Sequence, residues 1–161
     1  MVFGKGDRVV HPHHGAAVIE DLVELEVFGK PRIYLKLCLP HGLTLMVPVE
    51  SAEQVGLREV VSRQEVSKMF DLLRAAEGGI SIIWSQRYKA NLAKLISGDI
   101  YQVSEVVRDL SLREREKALS SADMRMLAKA REILLSELTF AFDSTAEHAE
   151  AMLDDVLEEC R

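Results

Sequence analysis

The chain has 161 residues, of which 48% are hydrophobic and 29% are charged, a composition typical of folded globular proteins and not of disordered ones. No apolar run approaches the roughly 20 residues that span a bilayer, and the N-terminus lacks the apolar segment of a signal peptide, so we expect a cytoplasmic protein without a membrane partner. The net charge of −6 is unevenly distributed. From Trp84 to Arg131 there are ten Lys/Arg against six Asp/Glu, whereas from Glu132 to Arg161 there are nine Asp/Glu and one Arg. A basic middle followed by an acidic end is compatible with nucleic-acid binding, although solvated helix faces produce the same pattern.

The first fifty residues have the pattern of short β-strands. Apolar and other residues alternate from Ile33 to Leu39 and again from Leu43 to Val49, which places each apolar set on one face of a strand. Turn residues separate the runs at Gly6-Asp7, Gly29-Lys30-Pro31 and Pro40-His41-Gly42. We therefore predict a first domain over residues 1–52, built as a small SH3- or Tudor-like β-barrel.

The pattern changes to a helical period near Ser51, which predicts a second domain of about five helices over residues 53–161. The overall class is thus α+β. Ser62 to Glu65 and Ser144 to Glu147 are capping boxes, and Gly78-Gly79 breaks the chain. The apolar residues at helical spacing are Val66, Met69, Phe70 and Leu73; Trp84, Tyr88, Leu92 and Leu95; Ile100, Val103, Val107 and Leu110; Leu127, Ala130, Leu134 and Leu138; and Ala149, Met152 and Val156.

Candidate metal ligands and catalytic groups form no recognised arrangement. His11, His13 and His14 lie at a strand end, where neighbouring side chains point to opposite faces, and a zinc site would need His41 or Cys38 to complete it. Packed turn histidines are the favoured interpretation. Cys38 and Cys160 are expected to be free thiols, with a disulfide as the alternative. Without a nucleophile elbow or a phosphate-binding glycine loop, we expect neither an enzyme nor a cofactor.

Trp84, the only tryptophan, begins a short segment that also carries Arg87, Tyr88 and Lys89. An aromatic ring beside cations is suited to stacking on a base while the cations bind phosphates. The helical spacing of Trp84 with Tyr88 and the leucines that follow favours instead a buried core position. Its place in the first turn of the helix, however, allows the ring to project beyond the core.

At these residues the chain resembles the CarD/CdnL family of bacterial transcription regulators, and is most similar to its actinobacterial members. The resemblance covers nearly the whole chain. It rests on residues 6–15 (GDRVVHPHHG), 47–50 (VPVE), 55–58 (VGLR), 84–89 (WSQRYK), 105–110 (EVVRDL) and 125–131 (RMLAKAR).

The resemblance implies a Tudor-like domain that binds the β subunit of RNA polymerase, in the holoenzyme with the housekeeping sigma factor, and a helical domain that contacts promoter DNA. It implies that Trp84 wedges into the minor groove at the upstream edge of the melted bubble and stabilises the open complex. The family has no enzymatic activity, and we expect a monomer. The matching DNA-facing positions are Trp84, Arg87, Lys89, Arg113, Arg125 and Lys129, and the polymerase-facing ones are Leu25, Val27, Met46 and Pro48.

The chain departs from the family pattern at four positions. Leu25 and Met46 stand where close relatives carry arginine, which makes docking to the polymerase less electrostatic. Gln86 and Met124 replace basic residues of some relatives, which reduces the DNA-facing charge. Three other classes of function remain open on the residues alone. They are a nucleic-acid-binding regulator that acts without polymerase, a protein scaffold in which Trp84 belongs to the core and, last, an enzyme or metalloprotein.

Overall fold

The structure, a computed structural model, describes residues 3–39, 42–75 and 83–159. The chain divides into two compact units, Met1–Val60 and Val61–Arg161, which we call the β unit and the helical unit. The division falls later than residue 52, where the sequence placed it. The reason is that Ala52 and Leu57 are buried in the core of the β unit, and the strand Arg58–Glu59 pairs with its first strand. The prediction of an α+β fold with a β-rich N-terminal part and a helical C-terminal part is confirmed.

The β unit is built on one antiparallel sheet with the strand order β4-β3-β2-β1-β5. Its elements are β1 (Arg8–His11), β2 (Gly15–Val27), β3 (Lys30–Cys38), β4 (Thr44–Pro48), a 3-10 turn (Val49–Ser51), α1 (Ala52–Val55) and β5 (Arg58–Glu59). Part of the predicted turn at residues 40–42 lies outside the described residues. Closure of this sheet into a Tudor- or SH3-like barrel stays a prediction.

The core of the β unit lies on one face of the sheet, as the period of two predicts. Leu35 and Leu37 of β3 are fully buried, together with Ile19 of β2 and Val47 of β4. The alternation does not hold at the strand ends, because Leu43 lies outside β4 and is exposed. The alternating pattern therefore predicts on which side of the sheet a side chain lies better than it predicts whether residues at the strand ends are buried.

The β2–β3 hairpin extends beyond its neighbouring strands. On one side β1 pairs only with Gly15 to Val18, and on the other β4 pairs only with Tyr34 to Cys38. Within the described residues the remaining length of the hairpin pairs with no further strand. For this reason Ile33 is exposed, although it lies on the same strand face as the buried Leu35 and Leu37.

The helical unit contains five helices within the described residues: α2 (Arg63–Arg74), α3 (Trp84–Ile96), α4 (Ile100–Glu116), α5 (Ser121–Ala141) and α6 (Ala146–Glu159). The predicted break at Gly78-Gly79 lies outside the described residues. In the described part of the chain, no helix combines the length and the apolar character that crossing a membrane requires. The apolar stripes of α2, α4, α5 and α6 pack together into one core.

The predicted capping box is present at the start of α2, whereas the cap at the start of α6 differs from the predicted one. At α2 the capping box is complete, since Glu65 N–H donates to Ser62 Oγ and Ser62 N–H donates to Glu65 Oε2. At α6 the cap is Thr145 instead of Ser144, and its Oγ1 accepts from the N–H of His148. The predicted box is shifted because the N–H of Ser144 is bonded to the carbonyl of Thr139 at the end of α5.

Candidate functional site

The candidate site begins at the first residue of α3, where Trp84 exposes 43% of its surface. The predicted apolar stripe on this helix is confirmed only in part, because Tyr88 and Leu95 pack against the core while Leu92 is exposed. The buried residue of α3 is the polar Asn91. Trp84 therefore lies outside the core in which the scaffold alternative places it. A large aromatic ring at the start of a helix is available to a partner.

Two side chains hold the ring of Trp84 in place. Its indole N–H donates to Oδ2 of Asp123, with 3.1 Å between Nε1 and the oxygen. The ring of Tyr88, one turn further along α3, stacks on it with the centroids 5.1 Å apart and the planes 24° from parallel. Stacking covers part of one ring face, and the hydrogen bond occupies the N–H edge. The ring is thus exposed, yet anchored at two points.

Asp123 is itself a buried residue, 2% exposed, in the first turn of α5. Its backbone N–H donates to Oγ of Ser120, the cap of that helix. Arg87 of α3 forms an ion pair with Asp123, with 3.9 Å between Nη2 and Oδ2. Because only 11% of the Arg87 side chain is exposed, its guanidinium lies against the carboxylate and not on the open surface.

The other predicted DNA-facing cations lie nearer to solvent. Lys89 and Arg125 are exposed, and Arg113 and Lys129 are partly exposed. Arg125 and Lys129 share one face of α5, four residues apart. Within the described residues none of these four forms an ion pair, whereas Lys94 and Arg131 are each neutralised by an acid at 3.0 Å or less. The predicted DNA-facing positions therefore carry positive charges that no acidic side chain of the described residues neutralises.

The four predicted polymerase-facing residues lie together on one face of the sheet, opposite Leu35 and Leu37. This follows from the register, because residues paired in an antiparallel sheet point to the same side. We call this surface the outer face. Its pairs are Leu25 with Arg32, Val27 with Lys30, Met46 with Lys36 and Pro48 with Tyr34.

The outer face retains positive charge, although Leu25 and Met46 stand where relatives carry arginine. Each of these two residues is paired with a cation on β3, Leu25 with Arg32 and Met46 with Lys36. Lys36 is in a long contact of 3.8 Å with Glu20, and both side chains are exposed enough for water to weaken it. The alternation of Lys30, Arg32 and Lys36 along the strand was visible in the sequence and indicates this basic row.

Among the residues that the structure describes, the histidines of the β1–β2 turn are not arranged as a metal site. His11 is buried, and its Nδ1 accepts from the N–H of His13 at 3.1 Å. Among the described residues, no group of three or more His, Cys, Asp or Glu is arranged to hold a metal ion. His41 and Cys160, which the metal and disulfide alternatives require, lie outside the described residues, and Cys38 is an exposed free thiol.

Asp123 was not singled out from the sequence as part of the site, whereas Tyr88 belongs to the segment that begins at Trp84. Asp123 follows Ser120 by three residues, a spacing that indicates a helix cap. Nothing in the sequence connects it to Trp84, because the two residues are 39 positions apart and meet only through the packing of α3 on α5.

Known proteins resemble both units of the chain. The CarD-like/TRCF RID domain matches residues 3–61, and the C-terminal domain of CarD matches residues 68–154, which is more than half of the chain. A protein of Bacillus subtilis (strain 168), named "Putative transcription factor YdeB", is 33% identical over 138 residues, which cover 85% of this chain and 90% of that protein. The chain therefore belongs to the CarD family of transcription regulators.

Proposed function

We propose that this protein binds the β subunit of RNA polymerase through its outer face and stabilises the promoter open complex by inserting Trp84 into the minor groove. The point of insertion is the upstream edge of the melted DNA, in complexes with the housekeeping sigma factor, and the protein acts as a monomer without a cofactor. The observation that carries the proposal is the exposed, doubly anchored ring of Trp84 in a member of this family.

The energetics of a single aromatic ring are sufficient for this role. Stacking of a base on an aromatic side chain contributes about 1–3 kcal/mol, and about 1.4 kcal/mol changes an equilibrium tenfold. A base step that is already unstacked at the edge of the bubble offers the ring a surface without the full cost of opening the duplex. The ring then opposes reannealing of the DNA, and no base needs to be identified by hydrogen bonds.

Docking to polymerase explains how a chain with a net charge of −6 acts on DNA. Once the β unit is bound, the helical unit meets promoter DNA at a high effective concentration. Weak phosphate contacts by Lys89, Arg113, Arg125 and Lys129 are then enough, and they need no sequence preference.

The β unit is suited to a polymerase strand. In the described part of the chain no further strand pairs with the far end of the β2–β3 ribbon, so that a strand of the partner can add to it through backbone hydrogen bonds. Leu25, Val27, Met46 and Pro48 supply apolar contacts beside that edge, and Arg32 and Lys36 attract an acidic partner surface.

The test is Trp84→Ala in a promoter open-complex assay with holoenzyme. We expect the lifetime of the open complex after challenge with a competitor to fall roughly tenfold, while binding to the polymerase β subunit is unchanged. Leu92→Ala, which truncates another exposed apolar residue of α3, is the matched control and is expected to leave the lifetime intact. An unchanged lifetime in Trp84→Ala contradicts the wedge. Tight binding to promoter DNA without polymerase favours a regulator that acts alone.

A further inference from the structure

The contact between Trp84 and Asp123 is unusual because a buried carboxylate meets an exposed ring. A buried charge is costly unless hydrogen bonds and an opposite charge compensate for it. The positive end of α5 and the cation of Arg87 offset the charge of Asp123. The separation of 3.9 Å from Arg87 exceeds a hydrogen bond, and Oδ1 has no hydrogen-bond partner within the described residues.

Within the described residues, Oδ2 of Asp123 therefore accepts its side-chain hydrogen bond from the indole N–H of Trp84. A hydrogen bond to a charged group is stronger than one between neutral groups, and it is strongest where water is excluded. The bond at 3.1 Å fixes the rotation of the indole in its own plane, and the stacked Tyr88 fixes the tilt of that plane. Together the two contacts leave the ring few orientations.

We propose that Asp123 is a positioning residue for Trp84: its carboxylate, fixed at the start of α5 and charge-paired with Arg87, presents the ring in one orientation before DNA arrives. This inference rests on the proposed wedge function, and it assigns Arg87 to the support of the ring instead of to a phosphate. The benefit is entropic, because a ring that is already ordered loses less rotational freedom when it enters the DNA.

The first experiment concerns the free protein, in which fluorescence reports on the single tryptophan. We expect Asp123→Ala to increase quenching of Trp84 by acrylamide and to add fast ring motion to the decay of fluorescence anisotropy. Asp123→Asn keeps an oxygen that can accept the indole N–H, and it should largely preserve the wild-type signal. Asp155→Ala, which removes an exposed carboxylate of α6, is the control and should change neither measurement.

The second experiment compares open-complex lifetimes in two backgrounds. In the wild-type background we expect Asp123→Ala to shorten the lifetime about threefold, less than Trp84→Ala does, because ordering one side chain in advance contributes about 0.5–1.5 kcal/mol, with polymerase binding unchanged. In a Trp84→Phe background the same substitution should have little effect, because phenylalanine has no N–H to donate. This double-mutant cycle separates positioning from a general loss of stability, which would shorten both lifetimes alike.

The outcomes distinguish this inference from the function on which it rests. Equal effects of Asp123→Ala in both backgrounds, or unchanged Trp84 fluorescence, would overturn the positioning role. If Asp123→Ala does not fold, the same comparison is made with Asp123→Ser, whose shorter side chain cannot reach the indole. If Trp84→Ala leaves the open complex unaffected while Asp123→Ala still mobilises the ring, the positioning stands and the proposed wedge is wrong.

Discussion

At the scale of single residues, His11 shows how burial changes a titratable group. It lies at the end of β1, where its Nδ1 accepts from the N–H of His13. The pKa of His11 is lowered from 6.5 to about 4. Burial is the largest cause, and the neighbouring charges of His14 and His13 account for the rest. His11 is therefore neutral in the folded protein at neutral pH, and it takes up a proton on unfolding in mild acid.

This pKa predicts a loss of stability in acid. Because the folded-state pKa of about 4 is lower than 6.5, the stabilisation is fully present above pH 6.5 and is lost as the pH falls towards 4. The complete shift corresponds to about 3 kcal/mol of unfolding free energy. In urea unfolding at pH 7 and pH 4.5, His11→Asn, which keeps an acceptor for His13, should lose less stability than the wild type.

His148→Asn is the control for that measurement, because His148 is exposed on α6. It should follow the wild-type pH profile. Identical profiles for the wild type and His11→Asn would show that other groups cause the acid sensitivity of this protein.

At the scale of secondary-structure elements, a hydrogen bond connects a buried glutamate to the first residue of the helical unit. Glu137 of α5 is fully buried, and its Oε2 accepts from the N–H of Val61, 2.8 Å away, just before the cap of α2. The bond joins the first residue of this unit to a residue of α5 that lies 76 residues further along the chain. Glu137 lies within the apolar stripe of α5, between Leu134 and Leu138, and its carboxylate provides the hydrogen-bond acceptor for the N–H of Val61.

Removal of this carboxylate should destabilise the helical unit. We expect Glu137→Ala to lower the unfolding free energy by about 2–3 kcal/mol, since it leaves a backbone N–H unpaired and opens a cavity. Glu137→Gln, which keeps an acceptor oxygen, should cost less. Urea denaturation monitored by circular dichroism measures both. An equal loss in Glu132→Ala, which truncates an exposed acid on the same helix, would contradict a specific role for this bond.

At the scale of the whole molecule, the two units divide the work that we propose. The β unit carries the outer face with its row of cations, and the helical unit carries the anchored ring of Trp84. Tethering by one unit raises the local concentration of the other, so that defects in the two units should respond differently to protein concentration. A tethering defect can be overcome by adding more protein, whereas a lost ring cannot.

Reversal of one charge on the outer face tests this division. Arg32→Glu should weaken binding to the polymerase β subunit about tenfold and make it less sensitive to salt. Its defect in open-complex lifetime should disappear at saturating protein, while that of Trp84→Ala should persist. Lys5→Glu, which changes an exposed cation outside the paired strands, is the control. A defect of Arg32→Glu that saturation does not rescue would contradict tethering through this face.

The family, the α+β class and most of the core residues could be predicted from the sequence. The stripe from Ile100 to Leu110 and the capping box at Ser62 are confirmed, because they depend on residues within a few positions of one another. Such local patterns are readable without knowledge of the fold.

The buried face of α3 and the surroundings of its first residue depend instead on how the helices pack. Periodicity placed Trp84 in the core, but the packing of α3 against α4 and α5 buries Asn91 and leaves the ring exposed. Packing also brought Asp123 to the indole and turned Arg87 from a surface cation into its buried partner. The physical reason is that a hydrogen bond or an ion pair depends on distance in space, which spacing along the chain does not record for residues on different helices.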